Sequence, residues 1–154
     1  MKKDEIYNIN FDVTHGRGYV YSLQYHLVWV TKYRKKIFIG TIEKEVKEYL
    51  LEIAKDLEIN VVAMELMPDH IHLLIDCKPQ LRISDAVKIF KGNIARWLFI
   101  KHPEIKRELW GGHLWNPSYF VATVSDRSRN QVENYIRNQK TSKGGFRYEA
   151  DNCI

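Results

Sequence analysis

Two histidines set two residues apart, His70 and His72 in the run His70-Ile71-His72-Leu73-Leu74-Ile75, are the first residues of this chain whose type and spacing can do chemistry. In an extended strand side chains alternate between faces, so both imidazoles leave the same face with Cα atoms about 6.6 Å apart and can reach one metal ion. Ile71, Leu73 and Ile75 point the other way, toward a covering layer, which puts the histidines on the face that layer leaves open. Taken alone, a His-x-His pair is as often incidental surface or packing. Tyr135 and Gln139 form a second pair at i and i+4, on one side of a helix and beside the apolar stripe of Val132 and Ile136. Taken alone, a packed tyrosine and a solvated glutamine are the commoner meaning of that spacing. A third group is Lys32, Tyr33, Arg34, Lys35 and Lys36, where cations surround an aromatic ring. Phosphate neutralisation combined with base stacking is what a binder of single-stranded or hairpin nucleic acid needs, and a solvated loop is the alternative. Lys88, Lys91 and Arg96 add positive charge to a helix, while Trp110 and Trp115 are expected in the core rather than stacked on bases.

The total charge does not choose among these meanings. Lys and Arg number 24 against 19 Asp and Glu, a net charge of +5 with a sequence pI of about 9.1, so the position of the charge matters more than its sum. The two cysteines, Cys77 and Cys153, make neither a disulfide scaffold nor a zinc motif and point to a reducing, cytoplasmic setting. No segment approaches the roughly 20 apolar residues that cross a bilayer. With 154 residues the chain reads as one domain over 1–154, with loosely ordered ends at 1–18 and 141–154.

The elements that must position these groups follow from periodicity. Tyr19, Tyr21, Leu23, Tyr25, Leu27 and Trp29 alternate with Ser22, Gln24 and His26, which predicts one long strand over 19–31. Ile42, Val46, Tyr49, Leu50, Ile53 and Leu57 recur at helical spacing after Thr41 as cap. Runs 59–67 and 70–77 flank Pro68-Asp69 and read as a hairpin. A second helix starts at Ser84 and stops at His102-Pro103; Gly92 inside it marks either a close approach or a tolerated cost of about 1 kcal/mol. A fourth strand covers 119–124, and the capping-box pattern Ser128-x-x-Gln131 opens a last helix that runs to about Lys140. The order βαββαβ plus a C-terminal helix is an α+β, ferredoxin-like or RRM-like sandwich whose antiparallel sheet keeps one open face. His15, His26, His102 and His113 are expected in structural or surface roles.

With its His70-Ile71-His72 motif, the helix Asn134-Tyr135-Ile136-Arg137-Asn138-Gln139, the segment Trp29 to Lys36 and the run Leu114 to Phe120, the chain resembles the small single-strand HUH tyrosine transposases of the insertion-sequence 200/605 type. The resemblance runs from Tyr19 to Gln139. It implies Tyr135 as the nucleophile, with Mg²⁺ or Mn²⁺ held by His70, His72 and Gln139. It further implies cleavage and rejoining of single-stranded DNA at hairpin-marked transposon ends through a 5′-phosphotyrosine link. The homodimer it implies has active sites shared in trans, and the short polar segment Ser125 to Ser128 offers a place for the tyrosine helix to swing. Two other readings are a non-catalytic RRM-like single-stranded RNA or DNA binder and a domesticated relative acting on repeated genomic hairpins. The first lacks its Gly-aromatic signature on the third strand, where the two histidines stand instead.

Overall fold

The computed structural model describes residues 14–124, 134 and 136–138. The predicted long first strand divides in two. Strand β1 (Thr14–Gly16) pairs antiparallel with β2 (Tyr19–Tyr21) as a separate ribbon, and β3 begins only at Gln24 and ends at Val30. Gly18, at φ 86°, makes the ribbon's turn, so residues 14–18 are built into structure rather than belonging to a loose end. Thr14 Oγ1 donates to Asp76 Oδ2 at 2.5 Å and fastens the ribbon to the end of the main sheet remote from His70.

After β3 come α1 (Thr41–Asp56), β4 (Asn60–Met67), β5 (His70–Asp76), α2 (Ile83–Lys101), α3 (Pro103–Glu108) and β6 (Phe120–Thr123). The main sheet is antiparallel in the order β4-β5-β3-β6, so the first and third strands of the βαββαβ unit are central. Gly40 with φ 62°, not Thr41, occupies the cap position of α1, and Thr41 is its first helical residue. His102-Pro103 does end α2, but Pro103 also opens α3, because a proline at the first helical position lacks only an N–H that would find no partner there. His102 is structural, its Nε2 lying 2.7 Å from Glu45 Oε2 on α1. A Cβ at Gly92 would meet nothing within 4 Å, so no close approach demands that glycine.

Both helices cover one face of the sheet. Ile71, Leu73 and Ile75 of β5 join Leu27 and Trp29 of β3 against Val46, Leu50 and Ile53 of α1 and Val87, Phe90, Ile94 and Leu98 of α2. Each of the three β5 side chains is fully buried, a gain of about 1.5–3 kcal/mol apiece. A one-residue slip of β5 would exchange them for His70, His72 and Leu74, so core packing fixes the face on which the histidines stand.

Candidate metal and DNA site

The open face is organised by the cross-strand register of β5. His72 lies opposite Val28 of β3 and Glu65 of β4, His70 opposite Val30 and Met67, and Leu74 opposite His26 and Ala63. The rings of His70 and His72 have centroids 4.8 Å apart and cross at 75°, so the pair converges as the spacing predicts. Each ring is held through Nδ1 by a different neighbour. His70 Nδ1 lies 2.5 Å from Asp69 Oδ1, whose partner oxygen Oδ2 accepts from Arg34 Nε at 3.0 Å. His72 Nδ1 lies 3.3 Å from His26 Nε2, with the two rings within 17° of parallel.

Burial keeps His72 and His26 from taking up a proton. His72 is 1% exposed, and desolvation, followed by the charges of His70 and His26, pushes its pKa down to about 3. Burial likewise lowers the pKa of His26. Asp69 loses solvation too, but the hydrogen bond from His70 and the charges of His70 and Arg34 outweigh that and hold its carboxyl below the usual range. His72 is therefore a neutral imidazole at neutral pH, the form a divalent cation binds. Among the described residues no group of three or more His, Cys, Asp and Glu side chains is placed to hold a metal ion. Two imidazole nitrogens fit as part of a ligand set, and the third expected donor, Gln139, lies outside the described residues, as does Tyr135. Between them Ile136 is fully buried, packed on Ala63 and Leu74 of the open face with Val62 and Val124 at the border.

The basic segment leaves β3 as a tight turn. Buried Thr31 donates its hydroxyl to Lys35 O at 2.7 Å, Lys32 N donates to Leu114 O at 2.8 Å, and Tyr33 and Arg34 take left-handed φ values of 57° and 53°. Two consecutive side-chain-bearing residues in that region are strained, at about 1–3 kcal/mol each. The turn leaves Tyr33 61% exposed with Lys32 Nζ 5.5 Å from its ring centroid, and Lys35 and Lys36 exposed beside it. On α2, Lys88 and Arg96 line an open depression of about 580 Å³ with Gly92 between them. Lys91 differs. Its Nζ donates to Asn116 O at 2.7 Å and approaches Pro117 O and Ser118 O, an inward task that burial matches by lowering its pKa. Trp115 is core as expected, but Trp110 stands 80% exposed ahead of the positive-φ pair Gly111 and Gly112, against the expectation for it.

Two members of the cluster went unassigned in the sequence. Asp69 reads there as a turn residue, although its place next to His70 was a usable signal. The sequence leaves His26 to a structural or surface role, yet its position among the even-numbered residues of the first strand, opposite the apolar ones, already puts it on the open face.

The family model described as transposase IS200 like matches residues 19–139, a span that contains the histidine strand, Tyr135 and Gln139. The chain belongs to the IS200-like transposases. The ISDra2 transposase TnpA of Deinococcus radiodurans is 48% identical over 124 residues, covering 80% of this chain and 89% of that relative. The transposase for insertion sequence element IS200 of Salmonella typhimurium is 25% identical over 119 residues, covering 77% of this chain and 78% of its own. A crystal structure of a candidate transposase from Deinococcus radiodurans R1 superposes with a TM-score of 0.69 at 48% identity, over 82% of this chain and 97% of that one. A REP-associated tyrosine transposase bound to a REP hairpin shares the fold at a TM-score of 0.62 and 12% identity, over 83% of this transposase and 72% of its own chain. Among the described residues no helix is long and apolar enough to cross a membrane.

Proposed function

We propose that this transposase cleaves and rejoins single-stranded DNA at hairpin-marked transposon ends, with Tyr135 as nucleophile and Mg²⁺ or Mn²⁺ held by His70, His72 and Gln139. The observation that carries the reading is the convergence of His70 and His72 on the open face, with Ile136, the neighbour of Tyr135, buried against that same face. When bound, the cation supplies polarisation of the scissile phosphate and stabilises charge on the departing oxygen. The phenol oxygen of Tyr135 forms a bond to phosphorus as the bond to the 3′ oxygen breaks. Its proton is lost, and the departing oxygen takes up a proton to become a 3′-hydroxyl. The 5′-phosphotyrosine link keeps the phosphodiester energy, so rejoining by a 3′-hydroxyl requires no ATP. Tyr33 offers a stacking surface, and Lys32, Arg34, Lys35, Lys36, Lys88 and Arg96 offer cations to the strand; Lys91 contributes through the loop it anchors. The hairpin bound to the REP-associated relative is in keeping with a hairpin-marked substrate.

The functional unit on this reading is a homodimer in which the tyrosine helix of one protomer completes the histidine pair of the other. Ile136 packs on Ala63 and Leu74 of its own chain, and an equivalent pocket on a partner would receive it equally well. The test is incubation with single-stranded DNA from the element's own ends and Mn²⁺, followed by denaturing electrophoresis. Wild-type protein is expected to give a covalent band on the 5′ side of the break and Tyr135→Phe none. Hairpin binding without any covalent band would return the chain to the RRM-like binders. Mixed dimers of Tyr135→Phe with His70→Ala are expected to recover one whole site, and no recovery would place each site within one chain.

A further inference from the structure

Resting on the reading that His70 and His72 hold the cation, we propose that Asp69 and His26 are positioning residues that fix which nitrogen each of these imidazoles presents to it. A neutral imidazole has one N–H and one lone pair, and the partner of one nitrogen decides which it carries. The Asp69 carboxylate accepts only, so at 2.5 Å it takes the hydrogen of His70 Nδ1 and leaves the lone pair on Nε2. Asp69 is itself doubly fixed. Arg34 holds Oδ2, and Thr31 N donates to the Asp69 carbonyl at 2.8 Å.

The second pair admits two arrangements, and only one serves a metal. If His72 donates from Nδ1 to His26 Nε2 across the 3.3 Å between them, the His72 lone pair sits on Nε2. If His26 donates instead, the lone pair of His72 points at His26 and its Nε2 carries a hydrogen, which removes it as a ligand. A ligating His72 therefore requires His26 to be protonated on Nδ1 and accepting at Nε2. The register of β3 against β5, with His26 opposite Leu74 and Val28 opposite His72, keeps the rings at that distance. The two ligands thus have unlike supports, a carboxylate in the hairpin turn for one and a buried neutral ring in the sheet for the other.

Long-range ¹H–¹⁵N NMR of the metal-free protein reads the tautomers directly. The expected spectrum has His26, His70 and His72 all bearing hydrogen on Nδ1; hydrogen on Nε2 of His72 overturns the proposal. Mn²⁺ titration followed by electron paramagnetic resonance then measures affinity without any DNA reaction. Asp69→Ala and His26→Leu are each expected to weaken Mn²⁺ binding about 10–100-fold, with part regained in Asp69→Asn and His26→Gln, which keep an acceptor. Unchanged affinity in both Asp69→Ala and His26→Leu overturns the proposal. Should His26→Leu fail to fold, as judged by circular dichroism, Asp69→Ala and the wild-type spectrum decide it. Mn²⁺ binding that survives His72→Ala undiminished would instead overturn the ligand reading itself, and the NMR tautomers would still score the orientation.

Discussion

The histidine strand and the basic turn carry the two halves of the proposed activity, and they are built in opposite ways. On β5 each imidazole stands on a regular strand in the middle of a sheet, with a fixed register and a partner at Nδ1. From Lys32 to Lys36 the backbone is irregular and strained at Tyr33 and Arg34, and the ring that would meet a base faces solvent. Chemistry on a phosphate tolerates little displacement of its ligands, whereas a groove for a strand tolerates adjustment. On the proposed function, rate therefore belongs to the sheet and affinity to the turn.

The most severe way to break that division is on the sheet. His70→Ala is expected to lower covalent-adduct formation by more than about 10³-fold while hairpin affinity by gel shift stays within about 2-fold, because a group used only in the reaction leaves binding alone. A parallel fall in affinity would mean that the histidines hold the strand as well. The turn gives the converse. Tyr33→Ala is expected to weaken hairpin binding by about 5- to 100-fold, the worth of one stacked base, with adduct yield restored at saturating DNA. Tyr33→Gly should bind as poorly as Tyr33→Ala yet unfold at higher denaturant, by about 1 kcal/mol, since glycine accepts φ 57° without strain.

The comparison can also be sharpened by pH. His72 has a folded pKa of about 3 against 6.5 unfolded, so below 6.5 the unfolded chain binds a proton that the folded chain refuses. Stability of the metal-free protein is then full above about pH 6.5 and falls as pH drops toward 3. Urea denaturation at a series of pH values should show this acid limb, and His72→Gln should make it shallower, leaving the shares of His26 and Asp69; substitutions at Lys35 or Lys36 should leave it unchanged.

How much of this was legible in the sequence follows the same division. The alternation around His70 and His72 was readable because strand period and core burial agree there, and the order βαββαβ carried the fold class. The break at Ser22 and Leu23 was not, because the apolar alternation runs through it unbroken and only pairing with Thr14–Gly16 stops the strand. Lys91 looks in sequence like Lys88; its ammonium is drawn inward by carbonyls some 25 residues away, which no local pattern encodes. Trp110 is exposed because positive-φ Gly111 and Gly112 turn the chain sharply after it. Tyr135, Gln139, Val132 and the Ser128 capping box lie outside the described residues, so their roles rest on spacing and family membership.

The burial of Ile136 between Ala63 and Leu74 also sets an energy scale for exchange. Withdrawing one such side chain into water costs about 1.5–3 kcal/mol, a factor of roughly 10 to 150 in population. On the proposed trans arrangement, an identical pocket on a second copy returns the same free energy, so for this side chain exchange between protomers is neutral in free energy.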